Sequence, residues 1–320
     1  MLLHFFAVLV ALATAVLIFA GGLVTSTGSG LSVPDWPSTY GWFMFTFPVE
    51  KWVGGIFYEH SHRLIASTVG FLILVLAFWL RRAEPRPWVR TLGLIALGAV
   101  ILQGILGGIT VLWYLPEPIS IAHASLAQLV FCMTATIALV TSSGWQRGYV
   151  QLPVAVGPRQ ASDDRVLQKT AIVTTVVIYL QILIGATMRH NDAGLAIPDF
   201  PLVFGGFVPH VWDFRIALNY AHRVGALVVS AMILATTGHV FYHHGRTRHL
   251  ARPALLLLAL LCLQITLGAA TILSGKEYVI NSLHVVTGGT VLVTSLMLTL
   301  RAHRPRFARA QTSRHGAGLA

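Results

Sequence analysis

The chain has few of the residues that build soluble or disulfide-bonded domains. Only 10% of its 320 residues are charged, against 55% hydrophobic, whereas soluble domains carry roughly 25% charged residues. Its two cysteines, Cys132 and Cys262, lie inside apolar runs, which argues against a disulfide framework or a zinc site. We expect both to pack as small core residues. No polar stretch is long enough to form a separate soluble domain.

Long apolar runs are what the chain has instead. Eight of them approach the ~20 residues that an α-helix needs to cross a bilayer. The first lacks the basic start of a signal peptide and is too long for one, so we interpret it as a membrane helix. The sequence predicts an all-α, polytopic membrane protein with eight transmembrane helices. They cover about 2–24, 57–80, 91–112, 119–142, 167–188, 214–241, 253–273 and 280–301.

Acidic residues are scarce: there are 11, against 22 Lys and Arg, which leaves a net charge of +11. Sixteen of the basic residues fall in four segments, 81–90, 144–169, 243–252 and 301–320. Eight crossings place these segments on one side together with the N-terminus, and the positive-inside rule makes that side cytoplasmic. The positive charge therefore indicates topology, with both termini cytoplasmic, and does not indicate nucleic-acid binding.

The two halves of the chain repeat each other. Residues 31–37, Leu-Ser-Val-Pro-Asp-Trp-Pro, return as Leu-Ala-Ile-Pro-Asp-Phe-Pro at 195–201, and the run around Gln103 returns around Gln264. An offset that stays between 160 and 164 residues indicates a duplicated unit. A unit of four helices enters the membrane twice in the same direction. We predict two parallel-repeated four-helix bundles, residues 1–143 and 167–301, with a cytoplasmic linker 144–166 and a basic cytoplasmic tail 302–320.

Histidines stand at the outer mouths of four apolar runs. They are His62 and His123 in the first half, and His222 and His284 in the second. Ionisable groups are costly inside a bilayer and persist where they have a partner or a function. Two imidazoles at one depth between bundle helices are suited to clamp a haem iron from both faces, whereas a closed zinc site needs four ligands. A single histidine could be a core residue with its hydrogen bonds satisfied. Four histidines in two matched pairs favour two haem-iron sites.

Charged neighbours of these histidines suggest further roles. Arg63 and Arg223 each follow a histidine, and could bind haem propionates or extend to the outer headgroups. Glu59 precedes His62 by three residues and shares its helix face, whereas the second half has Asn219 at that place. A carboxylate beside a haem edge could move protons or stabilise a cation. This asymmetry predicts an active N-terminal site, with Glu59 catalytic, and a purely redox C-terminal site.

Three further polar residues are weaker candidates. His60 points away from the face of His62 and has no counterpart in the second half. Gln103 and Gln264 lie in the middle of their runs and are expected to join helices through hydrogen bonds. None of the three is placed in the predicted iron sites.

Together these features resemble the haem A synthase family, whose members oxidise a methyl group of haem O to the formyl group of haem A. The likeness covers essentially the whole chain, and the motifs that carry it are Glu59-x-x-His62-Arg63, His123, His222-Arg223 and His284. It implies that His222 and His284 hold a haem b cofactor, that the N-terminal pair holds substrate haem O, and that Glu59 is the essential acid. Many bacterial members carry a cysteine pair in the first outer loop, and residues 25–56 contain none.

The resemblance also implies a reaction and a setting. Two successive hydroxylations at one methyl carbon, followed by loss of water, would give the aldehyde. The protein would lie in the inner membrane of a bacterial cell, in contact with lipid, with an electron donor or acceptor still to be identified. Haem O synthase and cytochrome oxidase assembly factors are candidate partners.

Two other functions remain open from sequence. A di-haem b electron-transfer protein, for example a quinol-linked one, would use the same histidines but leave Glu59 without a chemical role. A haem or ion transporter would use the histidines as a relay. The parallel repeat and the lack of interrupted helices count against the transporter.

Overall fold

A computed structural model of the chain describes residues 1–150 and 164–316, of which 147–150 and 305–316 as backbone only. In these ranges the protein is helical, and its only bridges between extended residues are two isolated pairs, Thr39 with Trp42 and Val203 with Gly206. Nine α-helices are formed over the described ranges: α1 Leu2–Ser26, α2 Gly55–Ala83, α3 Pro87–Leu112, α4 Glu117–Thr141, α5 Ser143–Val150, α6 Arg165–His190, α7 Phe214–His244, α8 Arg248–Leu273 and α9 Tyr278–Gly316.

Eight of the described helices, all but α5, are long and apolar enough to cross a membrane. The shortest of these have 25 residues, which at 1.5 Å per residue is about 37 Å and exceeds the ~30 Å of a hydrocarbon core. The prediction of an all-α protein with eight membrane-crossing helices is confirmed. The largest error in the described bounds at a helix start is at α8, predicted from residue 253. It begins at Arg248, because its polar first turn carries no apolar signal.

Helix also forms in two segments that apolarity did not identify. The start of the predicted linker 144–166 lies in α5, and the predicted tail 302–320 continues α9 as far as Gly316. Residues 151–163 of that linker and 317–320 of the tail lie outside the described ranges. The first turn of α6 is capped by Asp164, whose carboxylate accepts the N–H of Leu167 at 2.9 Å.

Four helices form the middle of the molecule. They are α1, α4, α6 and α9. Helix α1 packs on α2, α4 and α9, while α6 packs on α7, α9 and α4. The most enclosed spans are α4 and α9, with 67% and 50% of their most apolar windows buried. Helices α2, α3, α7 and α8 lie outside this group, so their apolar outer faces suit contact with lipid.

The core follows this arrangement. One apolar cluster lies within α1–α4, around Ile73 and Leu80, and another within α6–α9, around Ile233 and Leu257. A third joins the two sets of helices, with Ile18 and Phe131 from the first and Val293 from the second. Cys132 is half-buried between clusters, but Cys262 is exposed on α8, so the expectation of a core residue is wrong for Cys262.

The connections define two faces. Residues 27–54 and 191–213 form two long connections at the same end of the bundle, called here the loop face. The opposite end, where α1 begins, is called the N-terminal face. The short connections 113–116 and 274–277 also lie at the loop face.

Candidate functional site

The first long loop folds into a tight hairpin turn held by an aspartate. Tyr40 and Gly41 have φ of 50° and 76°, the left-handed values of a type I′ turn, in which glycine fits without strain. The carboxylate of Asp35 accepts the N–H of Tyr40 at 2.7 Å and that of Gly41 at 2.9 Å. Trp36, next to Asp35, rests on α3, where a Cβ on Gly108 would lie 2.7 Å from the indole ring.

The second long loop repeats this turn. Phe204 and Gly205 have φ of 50° and 77°, and Asp199 accepts both of their N–H groups at 2.9 Å. These hydrogen bonds, that of Gly205 first, hold the pKa of Asp199 below its ordinary value. In the first loop, burial raises the pKa of Asp35, but the hydrogen bonds that it accepts outweigh burial and hold its pKa below the ordinary value.

Arg63 and Glu59 tie the first loop to α2. The guanidinium donates through Nη1 to the carbonyls of Asp35 and Ser38 at 2.7 and 3.0 Å, and through Nη2 to the carbonyl of Val33 at 2.7 Å. Nη2 also donates to Oε1 of Glu59 at 2.6 Å. The other carboxylate oxygen, Oε2, accepts the N–H of Val33 at 2.7 Å. Glu59 is only 3% exposed.

Arg223 and Asn219 make the corresponding attachment in the second half. Arg223 donates through Nη1 to the carbonyl of Leu202 and through Nη2 to that of Ile197, both at 2.8 Å. Its Nε donates to Oδ1 of Asn219 at 2.9 Å. The amide of Asn219 then donates to the carbonyl of Ala193 at 2.8 Å. Glu59 therefore accepts from its loop, whereas Asn219 donates to its loop.

The four predicted haem ligands share a depth in the bundle. Each lies six to eight residues from the loop-face start of its helix, about 9–12 Å along the axis. All four are half-buried. His62 and His123 lie within electrostatic range of each other, and so do His222 and His284. The structure therefore brings both predicted pairs together.

Each of these imidazoles packs against a glycine of the preceding helix. A Cβ on that glycine would approach Cε1 of the histidine closer than nearly all real Cβ contacts, so a larger residue must displace the ring. The pairs and distances are Gly21–His62 at 3.1 Å, Gly107–His123 at 3.3 Å, Gly185–His222 at 2.9 Å and Gly268–His284 at 3.0 Å. Sequence reasoning missed these glycines, although they recur at the offset of the repeat.

The hydrogen bonding of the imidazoles is sparse. Within the described chain, Nδ1 of His62, His123 and His284 is buried and has no hydrogen-bond partner. Nδ1 of His222 meets the amide nitrogen of Gln181 at 3.0 Å, a contact that sequence reasoning missed. No carboxylate of the described residues pairs with any of the four. Imidazoles without ion pairs, each against a flat glycine surface, fit the axial ligation of a haem iron.

The two mid-helix glutamines differ. The amide nitrogen of Gln264 on α8 lies 3.3 Å from Nε2 of His284 on α9, which is the helix-joining contact expected from sequence. Oε1 of Gln103 is buried and has no partner among the residues described. Ligation of an iron through Nε2 of His284 would require Gln264 to turn away.

His60 faces the first loop, away from His62, as its place on the helix predicts. It is fully buried, with Nδ1 3.2 Å from Oγ1 of Thr39. Its ring packs against Phe47 and Trp52, with centroids 5.1 and 4.7 Å away. His60 thus supports the loop and is not part of either histidine pair.

Arg189 is a further residue of the site that sequence reasoning missed. It lies in the last turn of α6 at the loop face and reaches α1, where Nη2 donates to the carbonyl of Gly22 at 2.6 Å and to Oγ of Ser26 at 2.7 Å. It forms no ion pair with any described carboxylate, and lies within electrostatic range of His284. A basic residue at the end of an apolar run, outside the four basic segments, was the available signal.

The comparisons with known proteins agree over most of the chain. A family model described as "Cytochrome oxidase assembly protein" (COX15-CtaA) matches residues 4–297. A protein named Heme A synthase from Shouchella clausii (strain KSM-K16) is 30% identical over 297 residues, which cover 92% of each chain. Heme A synthase from Geobacillus kaustophilus (strain HTA426) is 26% identical over 320 residues, 99% of this chain and 97% of that one. The family predicted from the histidine set is confirmed: the chain belongs to the COX15-CtaA family of cytochrome oxidase assembly proteins.

Proposed function

We propose that this chain is a haem A synthase, a membrane oxidoreductase that converts a methyl group of haem O to the formyl group of haem A. Relatives of matching length carry that name, and the family model is described as a cytochrome oxidase assembly protein. The observation that carries the assignment to this site is the buried Glu59 beside one histidine pair, where the other pair has Asn219.

The two histidine pairs take different haems in this proposal. His222 and His284 hold haem b, and His62 and His123 hold substrate haem O. A bound haem supplies the redox chemistry, and the protein supplies ligands, orientation and proton handling. The glycines behind the imidazoles let each ring sit close to the neighbouring helix, which fixes its position.

Glu59 is the proposed proton-handling group. Its Oε1 holds the guanidinium of Arg63 and its Oε2 holds the N–H of Val33, so both oxygens are fixed relative to the first loop. An amide cannot replace it at both contacts, since one end of an amide is a donor and would face another donor. Proton transfer at Glu59 would therefore be coupled to the attachment of the first loop. Trp36 of that loop rests on Gly108, next to the glycine behind His123.

The setting of the reaction follows from charge. Sixteen of the Lys and Arg fall in the four basic segments, and we propose that the N-terminal face is cytoplasmic and that the membrane is the bacterial inner membrane. The haem sites then lie in the outer half of the bilayer. Arg63 and Arg223 hold loop carbonyls, so a role toward propionates would add to their attachment of the loops. Haem O synthase and cytochrome oxidase assembly factors are proposed as partners.

The test expresses Glu59→Gln together with haem O synthase and quantifies bound haem b, haem O, its alcohol and haem A. We expect the variant to keep haem b and to accumulate haem O or the alcohol. Asn219→Ala is the matched control, because it loses the corresponding loop contacts of the second half and should still produce haem A.

Two outcomes would overturn parts of the proposal. Wild-type yields of haem A from Glu59→Gln would remove this residue from the chemistry. Extraction of haem b alone from the wild-type protein, in cells that make haem O, would favour the di-haem electron-transfer protein. His222→Ala should abolish the low-spin haem b spectrum if the second pair holds the cofactor, whereas His123→Ala should leave it.

A further inference from the structure

A cluster of three side chains at the N-terminal face lies outside the haem sites. Oδ2 of Asp164 is 2.7 Å from Nε2 of His239 and 2.9 Å from Nε2 of His244. The three atoms all lie within 4.8 Å of one another. Neither the family assignment nor the proposed reaction uses these residues.

Two helices hold the cluster in place. Asp164 caps α6, because its other oxygen, Oδ1, accepts the N–H of Leu167. This hydrogen bond directs Oδ2 toward α7. His239 and His244 are five residues apart near the end of α7, about 140° apart around the helix axis, so they approach Oδ2 from two sides. His244 is 6% exposed and His239 half-buried. The first half has Trp79 and Glu84 at the positions of the two histidines.

We propose that Asp164, His239 and His244 bind one first-row transition-metal ion, with Zn²⁺ the ion that suits the ligands best. Two imidazoles and one carboxylate, with a fourth position for water, are a usual ligand set for Zn²⁺. Ca²⁺ and Mg²⁺ prefer six or more oxygen ligands, and the cluster offers a single carboxylate. Ligand bonds of about 2.1 Å put ligand atoms roughly 3.4 Å apart, so the contacts of 2.7 and 2.9 Å must open by roughly 0.7 and 0.5 Å.

The surroundings indicate how such an ion would be held. Arg246, Arg248 and Arg252 follow α7 closely in sequence, so a cation attracted only by the electrostatic field would be repelled there. An ion at this place depends on direct coordination by the histidines. It would join the start of α6 to the end of α7 at the N-terminal face, and so stabilise the folded protein by the free energy of binding.

The test uses the full chain in detergent, purified through a tag that contains no histidine. The protein is stripped with a chelator, equilibrated with micromolar Zn²⁺ against a competing chelator, and analysed for zinc and iron per chain. We expect about one zinc per wild-type chain, a binding affinity at least tenfold lower in His239→Ala and in His244→Ala, and an unchanged iron content. Zn²⁺ should also raise the melting temperature of the wild type and not that of His244→Ala.

His243→Ala is the matched control. This residue lies beside the cluster on the same helix, with its ring 4.5 Å from that of His239, and its loss should leave zinc binding intact. If the wild-type protein retains no zinc, the cluster is a hydrogen-bonded helix cap and not a metal site. Equal loss in His243→Ala and His239→Ala would place zinc elsewhere among the histidines. If the alanine variants fail to fold, Asp164→Asn keeps the size of the side chain and carries the same test.

Discussion

At the scale of single residues, the four glycines behind the histidines determine where the candidate haem ligands can sit. A methyl group on Gly185 would lie 2.9 Å from Cε1 of His222, whereas one on Gly107 would lie 3.3 Å from His123. The closer the contact, the further the imidazole must move. Ligation of an iron tolerates little displacement of the imidazole nitrogen. The loss of haem should therefore be largest where the distance to the added methyl group is shortest.

We therefore expect Gly185→Ala and Gly268→Ala to lower the haem b content at least twofold, and Gly21→Ala to weaken the substrate site, with Gly107→Ala mildest. Haem per chain and the low-spin absorption spectrum measure the effect in the second half. Gly104→Ala is the control, since a Cβ there meets nothing within 4 Å. Equal loss in Gly104→Ala, or none in Gly185→Ala, would contradict the assignment.

Sequence reasoning reached the histidines and Glu59 but not their contacts. Glu59 and Arg63 are four residues apart, so a helix alone brings them together, and their ion pair is present. The partner on the loop, Val33, is 26 residues away from Glu59. No periodic pattern links residues across a loop of that length, so the attachment of the loop could only be found in three dimensions.

At the scale of elements, the two loop hairpins are units whose stability depends on one carboxylate each. The pKa of Asp199 is held below its ordinary value by the N–H groups of Gly205 and Phe204. A carboxylate with a lowered pKa contributes stability above its unfolded value of about 3.9, and loses it as the pH falls through the lower folded value. The hairpin should therefore be insensitive to pH between roughly 7 and 5 and open only below about 4.

Hydrogen exchange of residues 199–206, measured on the full chain in detergent, checks this pH dependence. Asp199→Ala should speed exchange at Phe204 and Gly205 already at neutral pH, because both N–H groups lose their acceptor. The first hairpin is the internal control, since Asp35 and its contacts are unchanged. This account of the turn would be wrong if Asp199→Ala lowered protection equally in both hairpins. It would also be wrong if the wild-type hairpin lost protection between pH 7 and 5.

The helices were the easiest elements to predict, and the reason is physical. A membrane helix of the described chain carries an apolar signal along most of its length, so each was found to within a few residues at most ends. The polar first turn of α8 and the short α5 carry none, and were missed. The hairpins were visible only as a repeated Pro-Asp-x-Pro pattern, because the turn depends on left-handed residues at Tyr40 and Phe204, where glycine would be expected.

At the scale of the whole molecule, charge predicts the orientation in the membrane. Sixteen of 22 basic residues lie in the four segments that the predicted topology assigns to one side of the membrane, and the turn between α2 and α3 is among them. Reporter fusions after Arg86 and after Arg248 should both report the cytoplasm, while fusions in the loops near Trp36 and Phe200 should report the outside. A fusion that places Arg86 outside would invert the proposed position of both haem sites.

Arg189 reaches from α6 in the second half to α1 in the first, where it donates to Gly22 and Ser26. Its guanidinium lies within electrostatic range of His284 and has no ion-pair partner among the described carboxylates. A nearby positive charge favours the reduced haem, because the ferric state carries one more positive charge. Arg189→Gln should therefore lower the midpoint potential of the haem that we propose His222 and His284 hold, by on the order of tens of millivolts.

A redox titration of the purified protein, followed at the low-spin haem band, measures that shift. Arg215→Gln is the matched control, because Arg215 lies in the first turn of α7 at the same face but is exposed, where water and salt screen its charge. If Arg189→Gln keeps its haem and its midpoint potential is unchanged, the charge of Arg189 does not act on the haem. Equal shifts in both variants would point to the net charge of the protein. A shift confined to Arg189→Gln is expected, because Arg189 lies within electrostatic range of His284, whereas Arg215 is exposed.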